Sequence, residues 1–293
     1  MTQASPLPGK IRNEAELEDL LTTPSQELIE FAGRLSGTLA ILGVGGKMGP
    51  TLAIRAKRAI DAAGSDVQMV AISRFSNPET RRWLDDRGVN TIAADLLDQD
   101  SYANLPDARS VIYLVGTKFG TGQNPSLTWA VNTVAPTYAM QRYAQSEFVA
   151  LSTGNVYAFT PSASGGSQEK DSLQPVGEYA NAAVGRERIF DHFSRRNGTP
   201  VAMIRLNYAT DLRYGVIIDL ACKVANRQPV DLSQGYFNCI WQGDANDLIL
   251  RALDFAESPP RPINITSLET FAVREVACLL YTSDAADEHR DVG

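Results

Sequence analysis

Histidine and cysteine are scarce in this sequence. Among its 293 residues there are two histidines, His192 and His289, and three cysteines, Cys222, Cys239 and Cys278. So few histidines exclude a histidine-rich zinc site and a histidine-based catalytic triad, and no metal site is predicted. An odd, widely spaced set of cysteines does not form a disulfide framework, which favours a reducing compartment.

The sequence also lacks an excess of positive charge and a long apolar segment. It has 27 Lys and Arg residues against 34 Asp and Glu residues, so its formal charge is −7. A nucleic-acid or anionic membrane partner would favour a basic patch instead. No stretch approaches the roughly 18 apolar residues that span a bilayer, and the N-terminus has no apolar core of a secretory signal. We therefore expect a cytoplasmic protein with no nucleic-acid and no membrane partner.

The sequence does contain a regular alternation of short apolar runs and helical patterns. Six apolar runs are predicted to be strands: 39–42, 67–72, 91–94, 111–115, 148–151 and 201–204. Continuous apolar strands separated by helices indicate a parallel sheet that is covered on both faces. The predicted fold class is therefore α/β, a doubly wound parallel sheet of the Rossmann type, which binds ligands at the carboxyl ends of its strands.

The chain divides into segments of different character. Residues 1–36 are predicted to be an N-terminal helical extension of two helices, because Asn13 fits a helix cap and Pro24 suits the first position of the second helix. Residues 37–207 form the predicted Rossmann domain. The pattern then loosens, and residues 208–277 are predicted to form a small substrate lobe together with late core elements.

The last 16 residues, 278–293, break with the pattern before them. Their stretch LLYTSDAADE resembles translated sequencing-adapter sequence more than evolved protein, and the alternative is a genuine acidic tail. On the first interpretation the tail is not native, the natural protein continues beyond Ala277, and the C-terminal lobe is truncated here.

A glycine-rich loop follows the first predicted strand and precedes a helix. The loop consists of Gly43, Val44, Gly45, Gly46, Lys47, Met48 and Gly49. Glycine permits a tight turn and lets backbone N–H groups approach a pyrophosphate, and the helix that follows directs the positive end of its dipole at that charge. The order of strand, loop and helix therefore predicts a dinucleotide site rather than a simple turn.

The ends of the next strands bear on the identity of the cofactor. The second strand ends at Ser73 and Arg74. An acidic residue there would suit the ribose of NAD, whereas an arginine suits the 2′-phosphate of NADP. The pair therefore favours NADP slightly over NAD, unless Arg74 is simply an exposed loop residue. Asp95 and Leu96 are predicted to flank the adenine, and Gly116, after the fourth strand, to border the same cleft.

A set of short motifs is spread along the rest of the chain. It consists of Asp95-Leu96, Asn132, the stretch 151–157 (LSTGNVY), Tyr179 with Glu187, Gln242-Gly243-Asp244, and Asn264-Ile265-Thr266. Together with the glycine loop, these motifs resemble the extended short-chain dehydrogenase/reductases, the NAD-dependent epimerase/dehydratase family, from about residue 38 to residue 277. The resemblance implies hydride transfer between a nicotinamide cofactor and a hydroxyl or ketone centre of a sugar or sugar-like substrate.

The resemblance assigns the chemistry to particular side chains. Thr153 has the position that polarises the substrate oxygen, and Tyr179 has the position of the tyrosine that transfers the proton in a Y-x-x-x-K motif. Each also has a plainer interpretation, a turn hydroxyl for Thr153 and an aromatic packed on the sheet for Tyr179. Asn155, Asn207 and Trp241 are predicted to shape the substrate pocket, although Trp241 also suits core packing.

The motif lacks its lysine, because Ala183 stands four residues after Tyr179. The family's lysine favours the ionised tyrosine and binds the nicotinamide ribose, and a phenol in water ionises only near pH 10. Two cations are candidates to replace it. Lys118, on the loop after the fourth strand, is preferred because a lysine can move protons. Arg186, seven residues after Tyr179, lies on roughly the same helical face.

Two functions stay open at this stage. The first is an NAD(P)-dependent oxidoreductase or epimerase with Thr153, Tyr179 and Lys118 as its catalytic residues. The second is a non-catalytic dinucleotide-binding sensor or regulatory protein that has lost the lysine. The presence of Thr153 and Tyr179 favours the enzyme. The resemblance is also compatible with a homodimer that forms through paired helices.

Overall fold

The structure is a computed structural model that describes residues 9–117 and 122–288, with side chains described up to residue 282. Within these ranges, strands occur throughout the chain from residue 38 onward. The strands are β1 (Thr38–Leu42), β2 (Gln68–Ser73), β3 (Asn90–Ala93), β4 (Ser110–Tyr113), β5 (Glu147–Thr153), β6 (Val201–Leu206), β7 (Ala209–Thr210), β8 (Tyr236–Phe237), β9 (Ile240–Trp241), β10 (Arg261–Ile265) and β11 (Phe271–Ala272).

Helices connect most of the strands. The helices are α1 (Glu14–Thr22), α2 (Gln26–Ala32), α3 (Gly49–Ala62), α4 (Pro78–Asp85), α5 (Pro125–Arg142), α6 (Gly177–Asn197), α7 (Val216–Ala225), α8 (Gln242–Arg251) and α9 (Val273–Glu288). Over the described ranges, none of these helices combines the length and the apolar character needed to cross a bilayer.

The central sheet has seven strands, all parallel, in the order β3-β2-β1-β4-β5-β6-β10. From the centre of the sheet, β1, β2 and β3 follow one another toward one edge, and β4, β5, β6 and β10 follow one another toward the other edge. This order contains the 3-2-1-4-5-6 arrangement of a Rossmann fold, in which a crevice opens where the order reverses. The predicted doubly wound fold is therefore confirmed.

Both faces of the sheet are buried, which explains why its strands are apolar without interruption. In β1, Leu39 and Ile41 belong to one core cluster, which includes side chains of α3 and α8. Ala40 and Leu42, which alternate with them, belong to a second cluster with side chains of α5 and α6. Alternate residues of a strand point to opposite faces of the sheet, so β1 contributes side chains to both core clusters.

Two predicted helix starts have different outcomes. Asn13 caps α1 as predicted, since its Oδ1 accepts a hydrogen bond of 2.9 Å from the backbone N–H of Glu16. The prediction for Pro24 was wrong, because α2 begins at Gln26 and Pro24 precedes the cap. The cap is Ser25, whose hydroxyl oxygen accepts from the N–H of Leu28 at 3.1 Å. A hydroxyl that satisfies a free helix N–H decides the start more strongly than a preceding proline does.

The segment after residue 207 contributes both to the main sheet and to a small separate cluster. Strand β10 pairs with β6 at the edge of the sheet, and α8 packs on α3. Leu220, Phe237, Cys239 and Val273 form a third apolar cluster, which joins α7, β8 and α9. Helix α9 runs through residue 278 without a break, so the change in sequence pattern at that position does not coincide with a helix end.

A buried ion pair anchors the N-terminal helices to the core. Arg55 of α3 donates from Nε to Oδ1 of Asp247 in α8 at 3.0 Å and from Nη1 to the carbonyl of Leu21 at 3.0 Å. The hydroxyl of Ser25 donates to Oδ2 of the same carboxylate at 2.7 Å. Both charged side chains are 6% exposed. Burial lowers the pKa of Arg55, and the carboxylate of Asp247 opposes this effect only in part.

We expect Asp247→Asn to lower the free energy of unfolding by about 3 kcal/mol, because it leaves a buried guanidinium without its anion. The matched control is Asp254→Asn, which removes an exposed ion pair with Arg34 that is even shorter, at 2.7 Å. That change should cost less than about 1 kcal/mol. Urea denaturation of the three proteins measures both effects, and similar losses in the two variants would contradict a structural role for the buried pair.

Candidate functional site

A cleft of about 370 Å³ lies at the carboxyl ends of β1 to β4, where the strand order reverses. Crevices at this point of an open α/β sheet are where such folds bind their ligands. Eight residues predicted from the sequence to bind the cofactor line it: Gly43, Gly45, Gly46, Ser73, Arg74, Asp95, Leu96 and Gly116. Four separate segments of the chain are thus brought together at one site.

The glycine loop is packed too tightly for side chains at two positions. A Cβ atom on Gly49 would lie 2.2 Å from the carbonyl oxygen of Val44, which is backbone and cannot move aside alone. Gly43 has a φ of +85°, and a Cβ atom there would lie 2.8 Å from the backbone nitrogen of Val115. This close return of the chain from β1 into α3 is what a pyrophosphate-binding turn requires. The residues present therefore fit a dinucleotide.

Within the described parts of the chain, the lining of the cleft lacks three loop residues that the sequence predicted to bind the cofactor: Lys47, Met48 and Gly49. The carbonyl of Lys47 accepts a hydrogen bond of 3.1 Å from the hydroxyl of Tyr214, and its Nζ lies 4.8 Å from the centroid of that ring. The single proton of the Tyr214 hydroxyl is shared with Oε1 of Gln242, which also accepts from it. The glycine loop is therefore braced from outside by the segment that follows β7.

A second cavity, of about 510 Å³, lies on the outer side of the glycine loop. Side chains of α1 and α4 and the segment at 213–214 contribute to its walls. Its charged lining residues are Glu14, Glu18, Lys47, Glu79 and Arg213. The sequence did not point to this cavity, because it depends on how the N-terminal helices dock against the core.

Three polar side chains line the cleft near the ends of β2 and β3: Ser73, Arg74 and Asp95. Arg74 follows β2 and is exposed, and Ser73 is half-buried, with its Oγ 2.6 Å from the place of a Cβ atom on Gly45. Asp95 follows β3, and its Oδ1 accepts from the N–H of Leu97 at 3.0 Å. The carboxylate of Asp95 is therefore oriented by its own turn.

Thr153 ends β5 and is 8% exposed. Its hydroxyl oxygen accepts from the N–H of Asn155 at 3.2 Å, so it caps the short turn that follows. A Cβ atom on Gly154 would lie 3.3 Å from the Cβ of Asn207, which follows the neighbouring strand β6. The structure therefore places Thr153, Asn155 and Asn207 close together at the carboxyl ends of β5 and β6.

The other predicted residues lie on other elements of the fold or outside the described chain. Tyr179 is half-buried in the first turn of α6. Among the described residues, neither Thr153 nor Tyr179 lines the 370 Å³ cleft. Trp241 ends β9, and its indole nitrogen lies 2.6 Å from the place of a Cβ atom on Gly243. Lys118 falls outside the described residues.

A polar cluster supports the end of β5 and consists of three buried residues, Ser152, Glu187 and Arg205, and two half-buried ones, Tyr157 and Asn264. Arg205 donates to both carboxylate oxygens of Glu187, at 2.8 and 3.1 Å, and the hydroxyl of Ser152 donates to the same carboxylate at 2.6 Å. Arg205 also donates to the hydroxyl of Tyr157 at 2.8 Å, and that hydroxyl donates to Asn264 at 2.8 Å. The cluster thus connects α6 with β5, β6 and β10. Its member on β5 is Ser152, the residue directly before Thr153.

Charges in this cluster respond to burial and to each other. Burial lowers the pKa of Arg205, but the bonds to Glu187 outweigh it and raise the pKa overall. Burial raises the pKa of the Tyr157 phenol, and the bond from Arg205 opposes this only in part. One feature of the sequence could have indicated the cluster. Arg205 is a charged residue inside an apolar strand, and such a residue needs a partner when it is buried.

Comparisons with known proteins agree with the fold described above. The model of the NAD dependent epimerase/dehydratase family matches residues 39–265. No curated protein matches the chain by sequence.

Solved structures with a similar fold include three sugar-nucleotide enzymes. A dTDP-glucose 4,6-dehydratase from Streptomyces venezuelae, solved with NAD bound, has a TM-score of 0.71 at 16% identity and covers 85% of this chain and 81% of its own. A UDP-glucose 4-epimerase from Thermotoga maritima, solved with UDP-glucose, has a TM-score of 0.68 at 15% identity, with coverages of 83% and 81%. A UDP-glucose 4-epimerase from Thermus thermophilus, solved with NAD, has a TM-score of 0.67 at 19% identity, with coverages of 83% and 82%. At these identities the likeness concerns the fold.

We expect Gly46→Leu to weaken binding of NADH and NADPH at least about tenfold, because the new side chain would occupy the cleft that Gly46 lines. The backbone accommodates the change, since a Cβ atom there meets only the Gly43 carbonyl oxygen, at 3.7 Å. Fluorescence titration measures the affinity, and circular dichroism checks the fold. Gly33→Leu, at the exposed end of α2, is the matched control and should bind as the unmodified protein does. Unchanged affinity in a folded Gly46→Leu protein would remove the cleft as the dinucleotide site.

Proposed function

The chain belongs to the NAD dependent epimerase/dehydratase family of enzymes, and we propose that it acts by hydride transfer on a hydroxyl or ketone centre of a sugar, most simply a sugar carried on a nucleoside diphosphate. The observation that carries the proposal is the cleft at the strand-order reversal, with its bare glycine loop and its eight predicted lining residues. When bound there, a nicotinamide dinucleotide supplies the hydride acceptor and donor.

The nucleoside diphosphate sugar is proposed on the similarity of fold. The similar solved structures are described as a dTDP-glucose dehydratase and UDP-glucose epimerases. Family membership supports a hydroxyl-bearing carbon as the reacting centre. In this proposal Asn155, Asn207 and Trp241 contribute to the substrate pocket, and the nearness of Asn207 to Gly154 supports the placement of that pocket beyond the ends of β5 and β6.

For the chemistry we assign two roles to residues of this chain. The hydroxyl of Thr153 donates a hydrogen bond to the reacting oxygen, and the hydroxyl of Tyr179 exchanges a proton with it. The polar cluster holds Thr153 in place through its neighbour Ser152. A cation close to Tyr179 is needed because Ala183 carries no charge, and the two candidates for this role are Lys118, which the sequence prefers, and Arg186.

A specific observation also favours the second candidate function, a dinucleotide-binding sensor. Ala183 is 0% exposed, so the position that holds the motif's lysine is filled by a buried methyl group. A sensor would bind the dinucleotide in the same cleft and turn over no sugar. The cytoplasmic location and the homodimer expected from the sequence stay predictions in either case.

We expect Tyr179→Phe to lower turnover by about 100-fold or more, since positioned proton transfer contributes at least that factor. Affinity for NADH should stay unchanged, because the substitution removes only a hydroxyl group. The assay measures product formation from a panel of UDP- and dTDP-hexoses. Tyr236→Phe, at an exposed tyrosine of β8, is the matched control. Normal turnover by the Tyr179 variant would exclude its proton-transfer role. NADH binding by the unmodified protein without turnover of any sugar in the panel would favour the sensor.

For the cofactor we propose a preference for NADP, supported by Ser73 and Arg74 at the end of β2. We expect Arg74→Ala to weaken NADPH binding about tenfold and to leave NADH binding unchanged, because only NADPH carries the phosphate that an arginine would bind. Arg195→Ala, at an exposed arginine of α6, is the control. Titration with NADPH and with NADH measures the two affinities. If Arg74→Ala weakened both affinities equally, the proposed preference for NADP would be rejected.

A further inference from the structure

Arg186 of α6 is a buried cation with little to balance it. Its residue is 4% exposed. Its Nη1 donates a hydrogen bond of 3.0 Å to the carbonyl of Val115, and its Nε has no hydrogen-bond partner. In the part of the chain that the structure describes, no ion pair joins Arg186 to a carboxylate. A buried charge without a counter-charge is strongly unfavourable, so this guanidinium suits an anionic or polar ligand nearby.

The guanidinium lies directly behind the wall of the candidate cofactor cleft. A Cβ atom on Gly116 would lie 2.5 Å from Nη1 of Arg186, and both Gly116 and Val115 line the cleft. One layer of backbone therefore separates the charge from the ligand space. The same Cβ position lies 3.7 Å from Oδ1 of Asn132, a fully buried oxygen that also has no hydrogen-bond partner.

The place of Arg186 on its helix relates it to the altered motif. Tyr179, Ala183 and Arg186 are spaced by four and three residues, so they share one face of α6. Ala183 leaves the middle position of this face without charge. The charge of Arg186 acts on its surroundings, since it lowers the pKa of the buried Tyr113 phenol against the larger raising effect of burial.

We propose that Arg186 is a positioning residue that supplies, from behind Gly116, the positive charge that the motif would place at position 183. The inference rests on the proposed dinucleotide site. NADH carries one more negative charge than NAD⁺, so a buried cation close to the bound cofactor favours the reduced form over the oxidised form. Gly116 has no side chain to separate the guanidinium from the cleft, and the field of the charge reaches the ligand through the backbone alone.

The test measures the dissociation constant of NAD⁺ divided by that of NADH. Titration calorimetry on the full chain gives both constants. We expect Arg186→Gln, which keeps an N–H donor but loses the charge, to lower this ratio about tenfold, which is the effect of a unit charge about 12 Å away at an effective dielectric of about 20. Arg186→Lys keeps the charge and should leave the ratio within about twofold. ADP-ribose, which lacks the nicotinamide, should bind all folded variants alike.

Lys118 provides the competing outcome. If Lys118→Ala lowers the ratio and Arg186→Gln does not, the lysine is the effective cation and the inference is overturned. An unchanged ratio in a folded Arg186→Gln protein overturns it as well. A result in which the unmodified protein binds neither cofactor would instead reject the proposed function itself, so the two failures are distinguishable.

A double variant keeps the inference falsifiable if Arg186→Gln does not fold. Ala183→Lys combined with Arg186→Met moves the cation one turn along the same face of α6. We expect this protein to fold and to keep the ratio of the unmodified protein, since one buried cation lies close to the cleft in both. A folded double variant with a ratio lowered about tenfold would show that the charge at this face does not set the balance between the two cofactor forms.

Discussion

The tight return of the chain from β1 into α3 is the constraint on which the candidate site depends. Gly49 lies so close to the carbonyl of Val44 that no side chain fits, and Gly43 turns the chain through a left-handed conformation against Val115. Because Val115 follows β4, the loop is packed against the strand on the other side of the crevice. Close backbone contacts therefore determine the path of the glycine loop at the edge of the cleft.

The second half of the site, at the carboxyl ends of β5 and β6, is held in place by charged side chains rather than by the close packing of glycines. The pair of Arg205 and Glu187 joins β6 to α6, and Ser152 links that pair to the end of β5. A bidentate arginine–carboxylate contact restricts both distance and orientation. The position of Thr153 thus follows from a buried electrostatic cluster, while the position of the glycine loop follows from steric packing. Arg186 lies between these two halves, at the back of Val115 and Gly116.

Much of the fold could be predicted because its pattern is local. The strand runs and their intervening helices followed from apolar continuity, and Asn13 was found from the spacing of a helix cap. The start of α2 was missed although its cap is local, because Pro24 was given the first helical position, whereas the Ser25 hydroxyl caps a helix that begins two residues later, at Gln26. The polar cluster and the second cavity were missed for a different reason, since each is assembled from segments that are distant in the chain.

The sequence by itself determined the family, the order of strands and helices, and eight residues that line one cleft, because a strand–glycine loop–helix unit and the ends of parallel strands meet by the geometry of the fold. Tertiary structure alone decided which polar side chains are buried together. Lys47 packs against Tyr214 outside the cleft, whereas Arg186 lies behind its wall. Spacing along a helix indicates which face a charge shares, but only the packing of α6 against the end of β4 brings that charge to the ligand space.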